Sequence, residues 1–352
     1  MSYYSQAIRG HISLYKHRIP LQEAFSDPRL NEQQRERLAQ VPEIMAFAQQ
    51  ALELSTDHQY QTVVFLEHPI VTWNVFAAPT HSLEPKTWCY ILLGCVSYRG
   101  YFTESAARAY AEQLTAQGWE TYVGGASAYS TLGWFEDPIL SPFLHRNTED
   151  LAGLLFHELA HQQLYIAHDT TFNESFATAV ELAGVTQWRQ QQMDPPEDNP
   201  PEDNRYTQRL RVRDEFLALA MHTRSALQHL YKQQSSAQDT QTERQKILAD
   251  FRAGYEQRVT THWAGQRPYN SWMKESLNNA QWNTLGAYYD LVPAFTALLH
   301  ATGTDFSTFY ALCKKLGKLP KAQRHEHLAQ CTLEACPFAA TADVLVTASS
   351  GS

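Results

Sequence analysis

Two histidines four residues apart, in the run His157-Glu158-Leu159-Ala160-His161, constrain this chain more than any other feature. Both imidazoles face one point only if the segment is helical, where residues i and i+4 stand one above the other at a reach that suits a single metal ion. Glu158 follows His157 by one residue, about 100° round the helix, so its carboxylate lies beside that point rather than on it. Zinc in catalytic sites takes three protein ligands and keeps a position open for water, whose pKa it lowers to about 7. An adjacent carboxylate can take the proton and pass it to a leaving amine. His157 and His161 are therefore candidate zinc ligands, and Glu158 is the candidate base of a hydrolytic site.

The flanks agree with a helix. Thr148-Glu149-Asp150 offers a capping residue and two acids for a positive N-terminus, and Leu151, Leu154, Leu155 and Leu159 recur at helical spacing. Downstream, His168-Asp169-Thr170-Thr171 reads as a polar turn, with Asn173 as the N-cap of a second helix through Phe176, Ala177, Val180 and Ala183. A short turn returns that helix antiparallel to the first, so an early carboxylate faces the histidines. Glu174 and Glu181 lie seven residues apart on one face. Glu174 is the preferred third ligand; Glu181 is either an acid supporting the ligands or the rival ligand. His168-Asp169 is either a solvated turn pair or a partner that orients a ligand.

The run Phe172-Asn173-Glu174-Ser175-Phe176-Ala177, with Glu181, resembles the Asn-Glu-Gly-Phe-Ala signature of gluzincin aminopeptidases of the aminopeptidase N type, in which that Glu is the third zinc ligand. Twelve residues separate His161 from Glu174, fewer than in those enzymes, while the nineteen before Glu181 match the spacing of thermolysin without its Asn-Glu pair. Further runs extend the likeness over most of the chain: Trp88-Cys89, Gly94 to Phe102, Ala128 to Pro138, His157 to Gln162 and Leu277-Asn278-Asn279-Ala280. Together they resemble a bacterial family of predicted aminopeptidases, whose members often carry a lipoprotein leader. The resemblance implies a gluzincin-like metallopeptidase core, a Zn2+ cofactor and a peptide substrate, with aminopeptidase action leading. An endopeptidase or cell-wall peptide hydrolase is the rival enzyme, and a zinc-bearing envelope binding protein with weak catalysis is the rival from another class.

In gluzincin aminopeptidases a Gly-Ala-Met-Glu-Asn strand at similar distance before the motif lines the cleft and pairs with extended substrate. By that likeness Gly125, Ala126 and Tyr129 are candidate substrate-binding residues. This chain lacks the Glu at the matching place, which Glu136 or Asp137 replaces only if the turn folds back. The oxyanion of a tetrahedral intermediate also needs a donor. Tyr288 and Tyr289 are the leading candidates, with Tyr129 and His262 behind them. His325-Glu326-His327 directs its imidazoles to different sides of a helix and reads as surface.

Organisation along the chain is α+β and predominantly helical, a small β-sheet packing on helices. An N-terminal helical segment spans 1–60, with helical periodicity at 3–18 and 31–54. Residues 61–192 hold strand-like runs around 62–66, 70–76, 89–93 and 120–123, a helix from about 103 to 117, and the motif helices. A Pro- and acid-rich loop at 193–204 repeats Pro-Pro-Glu-Asp-Asn. The remainder, 205–352, continues the same unit with long helices at about 206–234 and 238–259, others to about 319, and a less regular tail.

At 43% hydrophobic the chain can bury a large core, and a net charge of −9 argues against a nucleic-acid or anionic-membrane surface. No apolar stretch reaches the roughly eighteen residues of a transmembrane helix. The start Met1-Ser2-Tyr3-Tyr4 lacks a signal-peptide layout, so the expectation is either a cytoplasmic protein or a mature form. The resemblance favours the second, with a lipid anchor in the precursor and a periplasmic or outer-membrane-attached location. The five cysteines read as buried free thiols, since Cys89/Cys95 and Cys331/Cys336 bridge only across a tight turn.

Overall fold

The computed structural model describes residues 14–90, 94–126, 136–192, 204–233 and 236–339, together with Gln6, Gly10 and Ile12, the side chains of 204–207 excepted. Strand β1 (Ile19–Pro20) precedes helix α1 (Glu32–Gln50), which Asn31 opens with a capping box shared with Gln34. Strands β2 (Thr62–Val64), β3 (Thr72–Ala78), β4 (Trp88–Tyr90), β5 (Gly94–Val96) and β6 (Arg99–Tyr101) follow. Helix α2 (Glu104–Ala116), strand β7 (Glu120–Ala126) and strand β8 (Ile139–Leu140) complete the mixed part. The main helices are then α3 (Thr148–Gln163), α4 (Thr170–Gln192), α5 (Asn204–Lys232), α6 (Ala237–Thr261), α7 (Asn279–Tyr289), α8 (Val292–Ala301), α9 (Phe306–Gly317) and α10 (Lys321–Ala329). The architecture is α+β and predominantly helical. Among the described residues no helix is long and apolar enough to cross a membrane.

The period-two pattern of β3 places the sheet β6-β3-β7 between two helices. Val75 and Ala77 pack with Ala107, Ala111 and Leu114 of α2, while Phe76 and Ala78 on the other face cluster with Ala280 of α7. All pairings are antiparallel, with Thr72 opposite Ala126 and Ala78 opposite Glu120. Strand β2 lies between β1 and β8 in a second small sheet that the sequence patterns do not reveal. The largest apolar cluster gathers α1, α3, α4, α8 and α9. A second, rich in aromatics, joins α5 and α6 to Trp282 of α7.

Several expectations need correction. Helix α4 starts at Thr170, so Asn173 is an interior residue; its side chain instead bonds both the N–H and the C=O of Ile166 at 2.8 Å. Asn147, not Thr148, caps α3 by accepting from the N–H of Asp150. Cys89 and Cys95 face one another across the β4–β5 hairpin and form a disulfide, as do Cys331 and Cys336; Cys313 alone is free, and buried. Helical order also continues past 319 into α10. The 193–204 loop, apart from Asn204, lies outside the described residues, as do most of 3–13 and Tyr129.

The turn between α3 and α4 is tied to the C-terminal region through Asp169, which is fully buried. Its Oδ2 accepts from Arg324 Nε at 2.7 Å and lies 2.8 Å from His325 Nε2, and Lys321 Nζ stands 3.6 Å from Oδ1. His168-Asp169 is therefore no solvated pair, and His325 is no simple surface residue. Burial alone would raise the Asp169 carboxyl, but His325 and Arg324 outweigh it and hold the group below its ordinary value. A folded-state pKa below the unfolded one gives stabilisation that is complete above the unfolded value and is lost as pH falls through the folded one. Asp169→Ala should lower the unfolding free energy at pH 7 by about 3–5 kcal/mol, because the buried Arg324 guanidinium is left without its carboxylate. Urea unfolding should show the gap from wild type narrowing as pH drops below about 4; equal midpoints at pH 7 would refute the assignment.

Candidate metal centre

The motif helix α3 and the returning α4 pack in antiparallel register, and their facing side chains build the centre. His157, His161 and Glu174 are all buried, and one donor atom from each lies within 4.8 Å of the others. Nε2 of His157 stands 3.4 Å from Glu174 Oε2, and Nε2 of His161 stands 3.5 Å from that same oxygen. The three could hold a metal ion. Glu181 does not join them: its Oε2 lies 3.0 Å from Nδ1 of His157, on the far side of the ring. A carboxylate at Nδ1 is the arrangement that orients an imidazole whose Nε2 is to ligate a metal. Nδ1 of His161 is buried with no hydrogen-bond partner among the described residues, so His157 is the ring held from behind.

Electrostatics separate Glu174 from Glu158. Burial alone would raise Glu174, but His161 and His157 outweigh it and bring its carboxyl down to about 2. Burial also opposes charge on His157, yet Glu174 and Glu181 overcome it and raise the imidazole well above its ordinary value. Glu158 behaves differently: burial pushes its carboxyl up, the two histidines only partly offset this, and Glu174 and Asp137 add to the rise. A cluster of carboxylates that draws a proton onto a buried imidazole is one that favours a cation.

The structure brings Tyr288 to this cluster and turns Tyr289 aside. The Tyr288 ring stacks over His157 with centroids 6.2 Å apart, and the nearby Glu174 charge, then burial, hold its phenol well above its ordinary value. Tyr289 is pushed up to about 12 by burial, with the Glu181 charge next. His262 pairs with Glu215 at 2.9 Å at the α5–α6 end and is not brought to the centre. Gly125 and Ala126 lie on β7 opposite Trp73 and Thr72. Glu136 lies near Arg18, 3.9 Å away, whereas Asp137 is buried and its charge reaches Glu158. Sequence reading missed Tyr165, half-buried and raised by burial and by Glu174. Its position four residues beyond His161 was the available signal.

A family model described as "Putative aminopeptidase" matches residues 2–328. The chain belongs to that family, and the description places it among the peptidases. No curated protein and no solved structure matches the chain.

Glu181→Gln should weaken divalent-metal binding about 10- to 100-fold, the usual effect of losing the carboxylate behind a ligating histidine. Competition against a fluorescent zinc chelator measures this; unchanged affinity would show that the contact does not orient the ring.

Proposed function

We propose that the protein is a zinc-dependent aminopeptidase of the gluzincin type, hydrolysing peptide bonds with water. The observation that carries this reading is the convergence of two imidazole nitrogens on one carboxylate oxygen. Tetrahedral zinc with bonds of about 2.0–2.2 Å separates its ligand atoms by about 3.3–3.6 Å. The 3.4 and 3.5 Å separations fall in that range and exceed the length of a strong hydrogen bond. Two histidines and a carboxylate are also a donor set that zinc takes in hydrolytic sites. When bound, zinc supplies Lewis acidity, polarising the scissile carbonyl and acidifying water.

The protein's own groups account for the rest. Glu158 takes a proton from the attacking water at its carboxylate and returns it to the leaving amine nitrogen; its raised pKa suits both halves of the transfer. Tyr288, kept protonated by Glu174 and burial, donates its O–H to the carbonyl oxygen as negative charge grows there. Glu181 fixes the His157 ring through Nδ1. Among the described strands β7 pairs with β3 alone, so the backbone of Gly125 and Ala126 is suited to align an extended peptide. Tyr289 has no step in this scheme. The two disulfides support an oxidising compartment, and with it a periplasmic or envelope location.

Protein purified without chelator should carry about one zinc per chain by mass spectrometry, lost on His157→Ala. Glu158→Gln should keep the metal and lower turnover of a free-N-terminus peptide library by at least about 10²- to 10⁴-fold. Near wild-type turnover in that variant, or loss of its metal, would overturn the scheme. Release of single N-terminal residues supports the aminopeptidase reading, and internal cleavage would replace it with an endopeptidase.

A further inference from the structure

Position 175 carries serine where the Asn-Glu-Gly-Phe-Ala signature has glycine. Ser175 is fully buried in α4, directly after Glu174. A serine inside a helix ordinarily turns its hydroxyl to a carbonyl one turn back in its own helix. Here the hydroxyl reaches across to another element. Its Oγ donates to the Tyr288 carbonyl at 3.3 Å and accepts from the Leu291 N–H at 3.2 Å. Those two groups flank the junction where α7 ends and α8 begins, and helix ends leave backbone groups without partners of their own. One buried hydroxyl thus serves both sides of the junction.

A second contact holds the same junction from α5. Arg224 Nη1 donates to both carboxylate oxygens of Asp290 at 2.8 Å. Its guanidinium fills the space that a Cβ at Gly286 would need, so α7 sits close against it. With the junction restrained at Tyr288, Asp290 and Leu291, the Tyr288 ring stacks on His157 at an interplanar angle of 27°.

We propose that Ser175 is a positioning residue: by clamping the α7–α8 junction it sets the Tyr288 hydroxyl relative to His157 and Glu174. The inference rests on the reading of Tyr288 as donor to the substrate carbonyl. Glu174 and Ser175 are consecutive, so the third ligand and the clamp on the donor belong to one helical turn. Zinc binding does not require the clamp; correct placement of the donor does.

The test compares Ser175→Ala, Tyr288→Phe and the double variant, each zinc-loaded, on peptides with free N-termini. Hydrogen exchange read by mass spectrometry is followed on the same proteins. Ser175→Ala should bind zinc with wild-type affinity, and amides of segment 286–291 should exchange about tenfold faster. It should lower kcat about five- to tenfold with KM unchanged, as expected for one lost hydrogen-bonded restraint. In the Tyr288→Phe background the same substitution should cost nothing further, because the group it positions is gone. Additive kcat losses, or unchanged exchange at the junction, would overturn the clamp. Wild-type turnover by Tyr288→Phe would overturn the donor reading instead, with the exchange result still judging the clamp by itself. If the alanine variant does not fold, Ser175→Cys keeps the buried volume while weakening both hydrogen bonds, and the same changes in exchange and kcat are expected in the same direction.

Discussion

Helices α3 and α4 share a carboxylate because they approach closely, and glycine makes that approach possible. A Cβ at Gly184 would lie 2.8 Å from Phe156 Cδ2 and 2.7 Å from Leu52 Cδ1, distances that real side chains do not reach. A Cβ at Gly153 would crowd Val185 and Glu181 at 3.2 and 3.3 Å. Phe156 and Val185 thus pack onto the glycines of the opposite helix, as ridges fit into grooves. The contacts run in opposite chain directions: Gly153 against Val185, His157 against Glu181, and His161 against Glu174. One antiparallel register therefore fixes both the cluster of His157, His161 and Glu174 and the acid behind it.

The register also gives three carboxylates three different characters within one small volume. Glu174 faces both imidazoles and stays ionised; Glu181 holds one ring from behind; Glu158, on the same helix as the rings but turned from them, is left to burial. Unpaired buried anions are costly, and each acid meets that cost in its own way. Environments that push neighbouring acids apart in this manner are how one site obtains carboxyl groups of different acidity.

Features that depend on local spacing were legible in the sequence. The His157/His161 pair and the helix expected at about 103–117, found at 104–116, follow from helical spacing, and the β-branched and aromatic composition of 70–76 marks β3. The preference for Glu174 over Glu181, which share one face, comes from its place early in the second helix and from the Asn-Glu signature. What stayed hidden depends on which groups pair in the folded chain rather than on a local period. Asn173 has the chemistry of a cap, but its side chain bonds Ile166, and Asp169 accepts from the Phe172 N–H instead, so the helix starts earlier, at Thr170. Strand pairing puts Cys89 opposite Cys95, which spacing alone does not decide. Strand β8 has two residues and no alternation to read. His325 looks like a surface histidine until Asp169 arrives from 156 positions away. Ser175 gave a signal only as a departure from a signature, with nothing in the sequence to name its partners.

The short connection between His161 and Glu174 has consequences of its own. A brief loop leaves few residues to absorb error in the spacing of the two helices, so its conformation must be held. His168 takes a positive φ of 69°, costly for a residue with a side chain, and persists because neighbours specify it. From within, Asn173 bonds Ile166 on both sides. From the sheet region, the disulfide-closed hairpin donates the Cys95 N–H to His168 Nδ1 at 2.9 Å and the Ser97 N–H to Thr170 Oγ1 at 3.3 Å. Gly94 permits this contact, since a Cβ there would meet the His168 backbone nitrogen at 2.9 Å. From the C-terminal side, Arg324 and His325 hold Asp169. Three separate parts of the chain thus converge on one turn. The spacing of His157, His161 and Glu174 is therefore a property of residues 94–97 and 321–325 as much as of the motif that carries them.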